Sequence, residues 1–167
     1  MTATDTVWQG KYITVRKQGT WEFVGRARGI RAAVILAVDD GHVVLVEQYR
    51  VPLDANCLEL PAGLIGDETE GEAVDVAANR ELEEETGFRA DRIEVVGEFA
   101  SSPGMVSETF TLVRAHGLTK IHDGGGVDGE NITVHRILLA DVPAFMAKKR
   151  AEGVVMDVKL LLLLGLV

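Results

Sequence analysis

Apolar residues recur along the chain in two periods, one of strands and one of helices. The β-branched runs 32–38 and 42–48 flank Asp39-Asp40-Gly41, a turn signal that predicts a central hairpin. Upstream, Tyr12, Ile13 and Val15 precede Gly19, and Trp21 and Phe23 follow it, which predicts a small antiparallel ribbon within 11–30. From 70 to 85 the spacing becomes helical, and Gly87 supplies a residue suited to a left-handed C-cap. Strands are predicted near 93–99, 109–115 and 132–139, a glycine-rich loop at 123–129, and helices near 141–151 and 155–166. Strands interleaved with helices in this way define an α/β layered domain.

The helix carries a chemical conflict. Val74, Ala77, Ala78 and Leu82 share the face expected to pack on the sheet. Glu81 and Glu85 continue that face, with Glu84 beside them, so three carboxylates gather at the carboxyl end, where the macrodipole is already negative. Arg80 can pair with Glu84, but one cation cannot balance three inward acids. A bound hard cation can, and Mg²⁺ accepts a few carboxylates together with waters and phosphate oxygens. Glu83, pointing outward, and Glu68, Glu70 and Glu72 near the amino end read instead as solvated surface.

Composition narrows the partners. The 167 residues are 47% hydrophobic, enough for one core, and the formal charge of −9 offers no basic field to nucleic acid or an anionic membrane. The apolar run 158–167 is far shorter than the ~20 residues of a bilayer span, so it is expected to pack as a core helix. A single cysteine, Cys57, cannot form an intramolecular disulfide, and residues 1–10 lack the pattern of a secretory leader, so the expected location is cytoplasmic. Cys57 reads as a small buried hydrophobe, and His122 and His135 as structural or solvent-facing residues.

Gly66, Glu72, Arg80, Glu81, Leu82, Glu84, Glu85, Gly87 and Phe88 together spell G-x5-E-x7-R-E-U-x-E-E-x-G-U, where U is apolar. This resembles the signature of the Nudix hydrolases, with no departure. The resemblance implies an α/β/α sandwich (31–167) behind a small N-terminal antiparallel β ribbon (1–30) that serves dimerisation and base binding. It also implies metal, Mg²⁺ with Mn²⁺ able to stand in, held by Glu81 and Glu85. Glu84 would be a further ligand or a group behind the ligands. Arg80 would orient the glutamates, with Glu72 as its structural partner.

Features outside the signature resemble the ADP-ribose and ADP-sugar pyrophosphatase group. The segment 59–65 looks like that group's approach to the signature; the Ala62 carbonyl would then ligate metal and Leu64 would face the substrate. Pro103, 15 residues after Phe88 and preceded by Ser102, is similar to the group's marker proline. Arg50 in Gln48-Tyr49-Arg50 resembles an arginine that reaches phosphates, a role its bidentate fork also suits. Tyr12, Trp21 and Arg26 look like the ribbon that sandwiches a base across a dimer. Glu130, before a strand, matches a loop glutamate that acts as catalytic base or extra metal ligand, and Asp128 lies beside it.

The implied activity is hydrolysis of a nucleoside diphosphate sugar, ADP-ribose foremost, to a nucleoside monophosphate and a sugar phosphate by a homodimer. GDP-mannose or a broad set of such sugars is the alternative. A non-catalytic nucleotide-sugar sensor predicts a damaged glutamate set, and mRNA decapping sits badly with the acidic charge.

Overall fold

A computed structural model of the chain describes residues 3–27, 30–66, 71–127 and 129–164. Glu68, Glu70, Asp128 and the last three residues of the terminal apolar run lie outside the described residues.

At the amino end β1 (Asp5–Gln9), β2 (Ile13–Gln18) and β3 (Trp21–Arg26) form an antiparallel sheet in that order. Gln18 pairs with Trp21 across a tight turn in which Gly19 takes a φ of 61°, a left-handed value glycine adopts without steric cost. All five residues of β1 are exposed, so no buried face imposes an alternation on it, and the apolar pattern of 11–30 indicates only its two partners. This sheet leans on a later loop: the Val24 N–H donates to the Met105 carbonyl (2.9 Å) and its carbonyl accepts from Ser107 N (2.8 Å).

The second sheet is built on β4 (Arg31–Asp39) and β5 (His42–Arg50). Asp40 (φ 47°) and Gly41 (φ 69°) make the turn between them, the double positive-φ geometry that suits a two-residue hairpin loop. The hairpin is shorter than the two apolar runs predict, because pairing is confined to Val38 with Val43 and Asp39 with His42. Beyond that point the strands part. β5 pairs antiparallel with β6 (Ala55–Glu59), and the start of β4 with β7 (Ala62–Ile65). After α1 (Val74–Thr86), the long β8 (Phe88–Ala100) and β9 (Thr109–Lys120) pair with one another, and β9 runs parallel to β4. Next, β10 (Thr133–Leu138) adds to β5, α2 (Val142–Ala151) follows, and β11 (Val155–Met156) lies parallel to β6.

Two apolar layers explain why β4 is apolar throughout. Ala33, Ile35 and Ala37 pack with Ala77, Ala78 and Leu82 of α1, whereas Val34 and Leu36 pack with Val142, Met146, Leu160 and Leu163 on the opposite face. The sheet is thus sandwiched between helices, an α/β/α arrangement.

The predicted helix 155–166 is a correction. Gly153 (φ 87°) ends the turn after α2, and residues 155–156 extend to join β6. A 3₁₀ turn over Val158–Leu160 and the four-residue α3 (Leu161–Leu164) follow. The run divides by burial, with Leu160 and Leu163 fully buried and Leu161 and Leu162 exposed. Among the described residues no helix is long and apolar enough to cross a membrane. The start of α1 is also later than predicted, at Val74, following Gly71 in the left-handed region.

Candidate active site

A cleft of about 420 Å³ opens beside the carboxyl half of α1. Strand alternation supplies one wall: Val44 and Val46 of β5 are buried, and Gln48 and Arg50, next on the same face, enter the cleft. β7 supplies Ala62, Gly63 and Leu64, and α1 supplies Arg80, Glu81, Glu84 and Glu85. A Cβ on Gly63 would stand 2.0 Å from the carboxyl carbon of Glu81. A side chain at this position would displace that acid.

The three helical acids differ in burial. Glu85 is 7% exposed and accepts a hydrogen bond from Ala62 N at 3.0 Å, while the side chains of Glu81 and Glu84 are 15% and 35% exposed. Burial pushes the Glu85 carboxyl up to about 8; the Ala62 N–H opposes the rise, the charges of Glu81 and Glu130 add to it, and Arg50 opposes it. Among the described residues no three acidic, histidine or cysteine side chains are already gathered around an ion position. The donor set fits a hard divalent cation even so: it is all oxygen, and burial and like charges raise the carboxyl of its most buried member, an effect such a cation would offset.

Arg80 sits among the acids. Its guanidinium lies 3.0 Å from Glu81, 3.2 Å from Glu84 and 3.4 Å from Glu72, and Nη2 donates to the Leu64 carbonyl at 3.4 Å. Glu72 is therefore no solvated surface acid, for its side chain is only 11% exposed. It precedes the helix, so helical periodicity could not relate it to Arg80. Glu83 points outward and pairs with Arg89 at 2.6 Å.

Two other described arginines line the cleft, and each meets a carboxylate to which the sequence reading gave no role. Arg50 is gripped by both oxygens of Glu59, from Nε at 2.6 Å and Nη2 at 2.9 Å. Arg26, the one described ribbon residue in the lining, pairs with Glu108. Tyr12 and Trp21 are 62% exposed, and neither they nor Ser102 and Pro103 are among the described lining residues. Ser102 instead closes a turn, its carbonyl accepting from Met105 N and Val106 N.

The glycine-rich loop is anchored to the end of the same helix. Gly125 N donates to the Glu85 carbonyl (2.9 Å) and Gly126 N to the Glu84 carbonyl (3.1 Å), filling acceptors that a helix end leaves open. A Cβ on Gly124 would stand 2.4 Å from the Thr86 backbone, so this glycine serves close approach rather than looseness. Glu130 reaches the cleft from this loop; its carboxylate accepts from Val127 N (2.9 Å) and its carbonyl from Gln48 Nε2 (3.3 Å). Cys57 and His135 stand elsewhere. The buried Cys57 thiol is pushed up to about 12, first by burial and then by the Glu59 charge, and His135 lies 3.0 Å from Glu47.

A sheet between helices, with a glutamate-lined cleft at one helix end and a tethered acidic loop over it, defines the class to which this chain belongs. Residues 27–154 match the NUDIX domain, and the chain is a member of that family. It is 38% identical over 119 residues to the methanol dehydrogenase activator of Bacillus methanolicus, covering 71% of this chain and 63% of that protein. To the ADP-ribose pyrophosphatase of Bacillus subtilis (strain 168) it is 34% identical over 110 residues, covering 65% of this chain and 58% of that one. The chain thus spans about three fifths of those two relatives. The GDP-mannose pyrophosphatase of Cronobacter sakazakii is 34% identical over 146 residues, covering 82% of this chain and 72% of that protein. Among solved structures, an ADP compounds hydrolase superposes with a TM-score of 0.67 at 25% identity, over 85% of this chain and 80% of that chain.

Proposed function

We propose that this protein hydrolyses the pyrophosphate bond of nucleoside diphosphate sugars, ADP-ribose first among them, releasing a nucleoside monophosphate and a sugar phosphate. The observation that carries this reading is the buried Glu85, close enough to Glu81 and Glu130 for their charges to raise its carboxyl further, in a cleft that also holds Arg50 and Arg26. Glu81, Glu84, Glu85 and the Ala62 carbonyl, with Glu130, would hold Mg²⁺, which when bound neutralises charge on the diphosphate. Arg50 and Arg26 bind the diphosphate from the opposite wall, and Arg80 keeps the glutamates oriented. Glu130 takes the proton of a water that adds to one phosphorus as the bridging P–O bond breaks.

Arg26 is the reason to prefer a homodimer that shares its ribbons: it carries β3 to the cleft edge, while the exposed Tyr12 and Trp21 of the same ribbon would stack on a base in the partner's cleft. A buried, unpaired Cys57 supports a reducing, cytoplasmic location.

The test is a panel of ADP-ribose, other ADP-sugars and GDP-mannose incubated with purified protein and Mg²⁺. AMP and ribose phosphate from ADP-ribose are expected, with turnover lost on chelation and reduced about 100- to 1,000-fold in Glu85→Gln, the scale seen when a charge-stabilising group is removed. Release of mannose phosphate from GDP-mannose alone would reject ADP-ribose, and full activity in Glu85→Gln would reject the metal assignment.

A further inference from the structure

We propose that Glu59 is a positioning residue for Arg50, fixing one edge of the guanidinium so that the remaining N–H groups present to the substrate diphosphate. The inference rests on the nucleotide-sugar reading and extends it to a residue behind the cleft.

The pairing of β5 with β6 sets the geometry. Val46 stands opposite Glu59 and Arg50 opposite Ala55, so Arg50 and Glu59 lie on one face of the sheet and the arginine reaches back along it. Both carboxylate oxygens engage the same guanidinium, at 2.6 and 2.9 Å, and the Glu59 side chain is only 10% exposed against 40% for Arg50. This is the side-on fork geometry, stronger and more directional than a single ion contact. A guanidinium has five N–H groups. Glu59 occupies one on Nε and one on Nη2, leaving the Nη1 pair and the second Nη2 proton.

Packing alone gives no reason for an acid at this position. Its neighbours along the chain, Leu58 and Leu60, are fully buried, and another carboxylate beside an acid-lined cleft adds repulsion. The electrostatics of Arg50 do give a reason. Glu85 lies near enough for its charge to act on Arg50, so an unclamped guanidinium on a flexible stem would settle onto Glu85, competing with the substrate and masking an acid the cleft needs. Glu59 holds Arg50 on the other side.

A double-mutant cycle tests this. Wild type, Glu59→Gln, Arg50→Ala and the double variant are compared in kcat and KM for ADP-ribose, and, by calorimetry with Mg²⁺, in Kd for α,β-methylene-ADP, whose diphosphate cannot be hydrolysed. Glu59→Gln is expected to raise KM and Kd about tenfold with kcat changed less than threefold, and to add less than twofold in the Arg50→Ala background. Multiplicative effects, parameters within twofold of wild type, or a wild type that does not bind the analogue would overturn the proposal. Should Glu59→Gln fail to fold, Glu59→Met replaces it, and failure of both assigns Glu59 to stability alone and ends the proposal. A coupled binding cycle in a wild type that turns over no nucleotide sugar would reject the hydrolase reading and leave the positioning role standing.

Discussion

Glu47 illustrates how a single charge is accommodated inside this molecule. It follows Val46 on β5 but faces the opposite layer, where Lys149 (2.7 Å), His135 (3.0 Å) and Asn56 (3.2 Å) converge on its carboxylate. Burial pushes this carboxyl up, yet the hydrogen bonds from Lys149 and His135, the Lys149 charge and Asn56 together hold it below its ordinary value. A depressed folded-state value contributes stability above the unfolded pKa, and that contribution is lost as pH falls through the folded one. Glu47→Gln is therefore expected to cost about 1.5–3 kcal/mol at neutral pH, the range for hydrogen bonds to a charged group. The gap from wild type should narrow as pH drops below the ordinary carboxylate range; denaturant melts across pH 3 to 8, roughly the span over which carboxylates titrate, would show it. A gap independent of pH would mean that shape, not charge, sets the role of Glu47. At this scale the sequence was legible wherever partners are near in the chain: Glu81 and Glu85 follow from helical spacing. Glu59, Glu108 and Gln48 were not, because strand pairing or a tertiary contact, rather than chain proximity, brings each to its partner.

Elements were legible where a periodic pattern met a turn signal. Asp40-Gly41 and the Gly87 cap fall where the residue types demand, Gly87 with φ 72° and its N–H on the Glu83 carbonyl. β6 and β7 were hidden because both are short and Pro61 lies between them, so neither offers enough length for alternation to register. The glycine spacing predicts a loop before β10 but not its anchorage: Gly124 and Gly126 take φ of 70° and 79°, with the loop backbone seated on the end of α1. This arrangement ties Glu130 to the helix bearing Glu81 and Glu85. Gly124→Ala places a methyl against the Thr86 backbone in a left-handed conformation that costs about 1–2 kcal/mol by itself. The variant should lose at least tenfold in kcat with KM changed less, while melting only a few degrees lower. Steady-state kinetics beside thermal melts would check this, and an unchanged kcat would show that the anchor does not govern the position of Glu130.

At the scale of the whole molecule, both tryptophans of the chain stand exposed on the amino-terminal sheet. Val7 (64%), Trp8 (54%), Tyr12 (62%) and Trp21 (62%) all lie in the first 26 residues, on a sheet whose first strand is wholly exposed. Among the described residues, the backbone hydrogen bonds from that sheet to the main domain are the two at Val24, reinforced by Arg26 with Glu108. Large aromatic residues on a thin sheet are the usual material of an interface core, where they are enriched and desolvated. A twofold partner would cover them and bring the two ribbons together in a self-complementary contact. Light scattering at micromolar concentration should accordingly return twice the chain mass, and Trp21→Glu should return the single mass with its main-sheet fold intact by circular dichroism. Because Arg26 lines the cleft from the same ribbon, loss of the dimer should also raise KM for ADP-ribose at least fivefold while the metal requirement persists. A wild type of single-chain mass with full activity would mean that the aromatic ribbon serves a different partner, and that each cleft is complete within one chain.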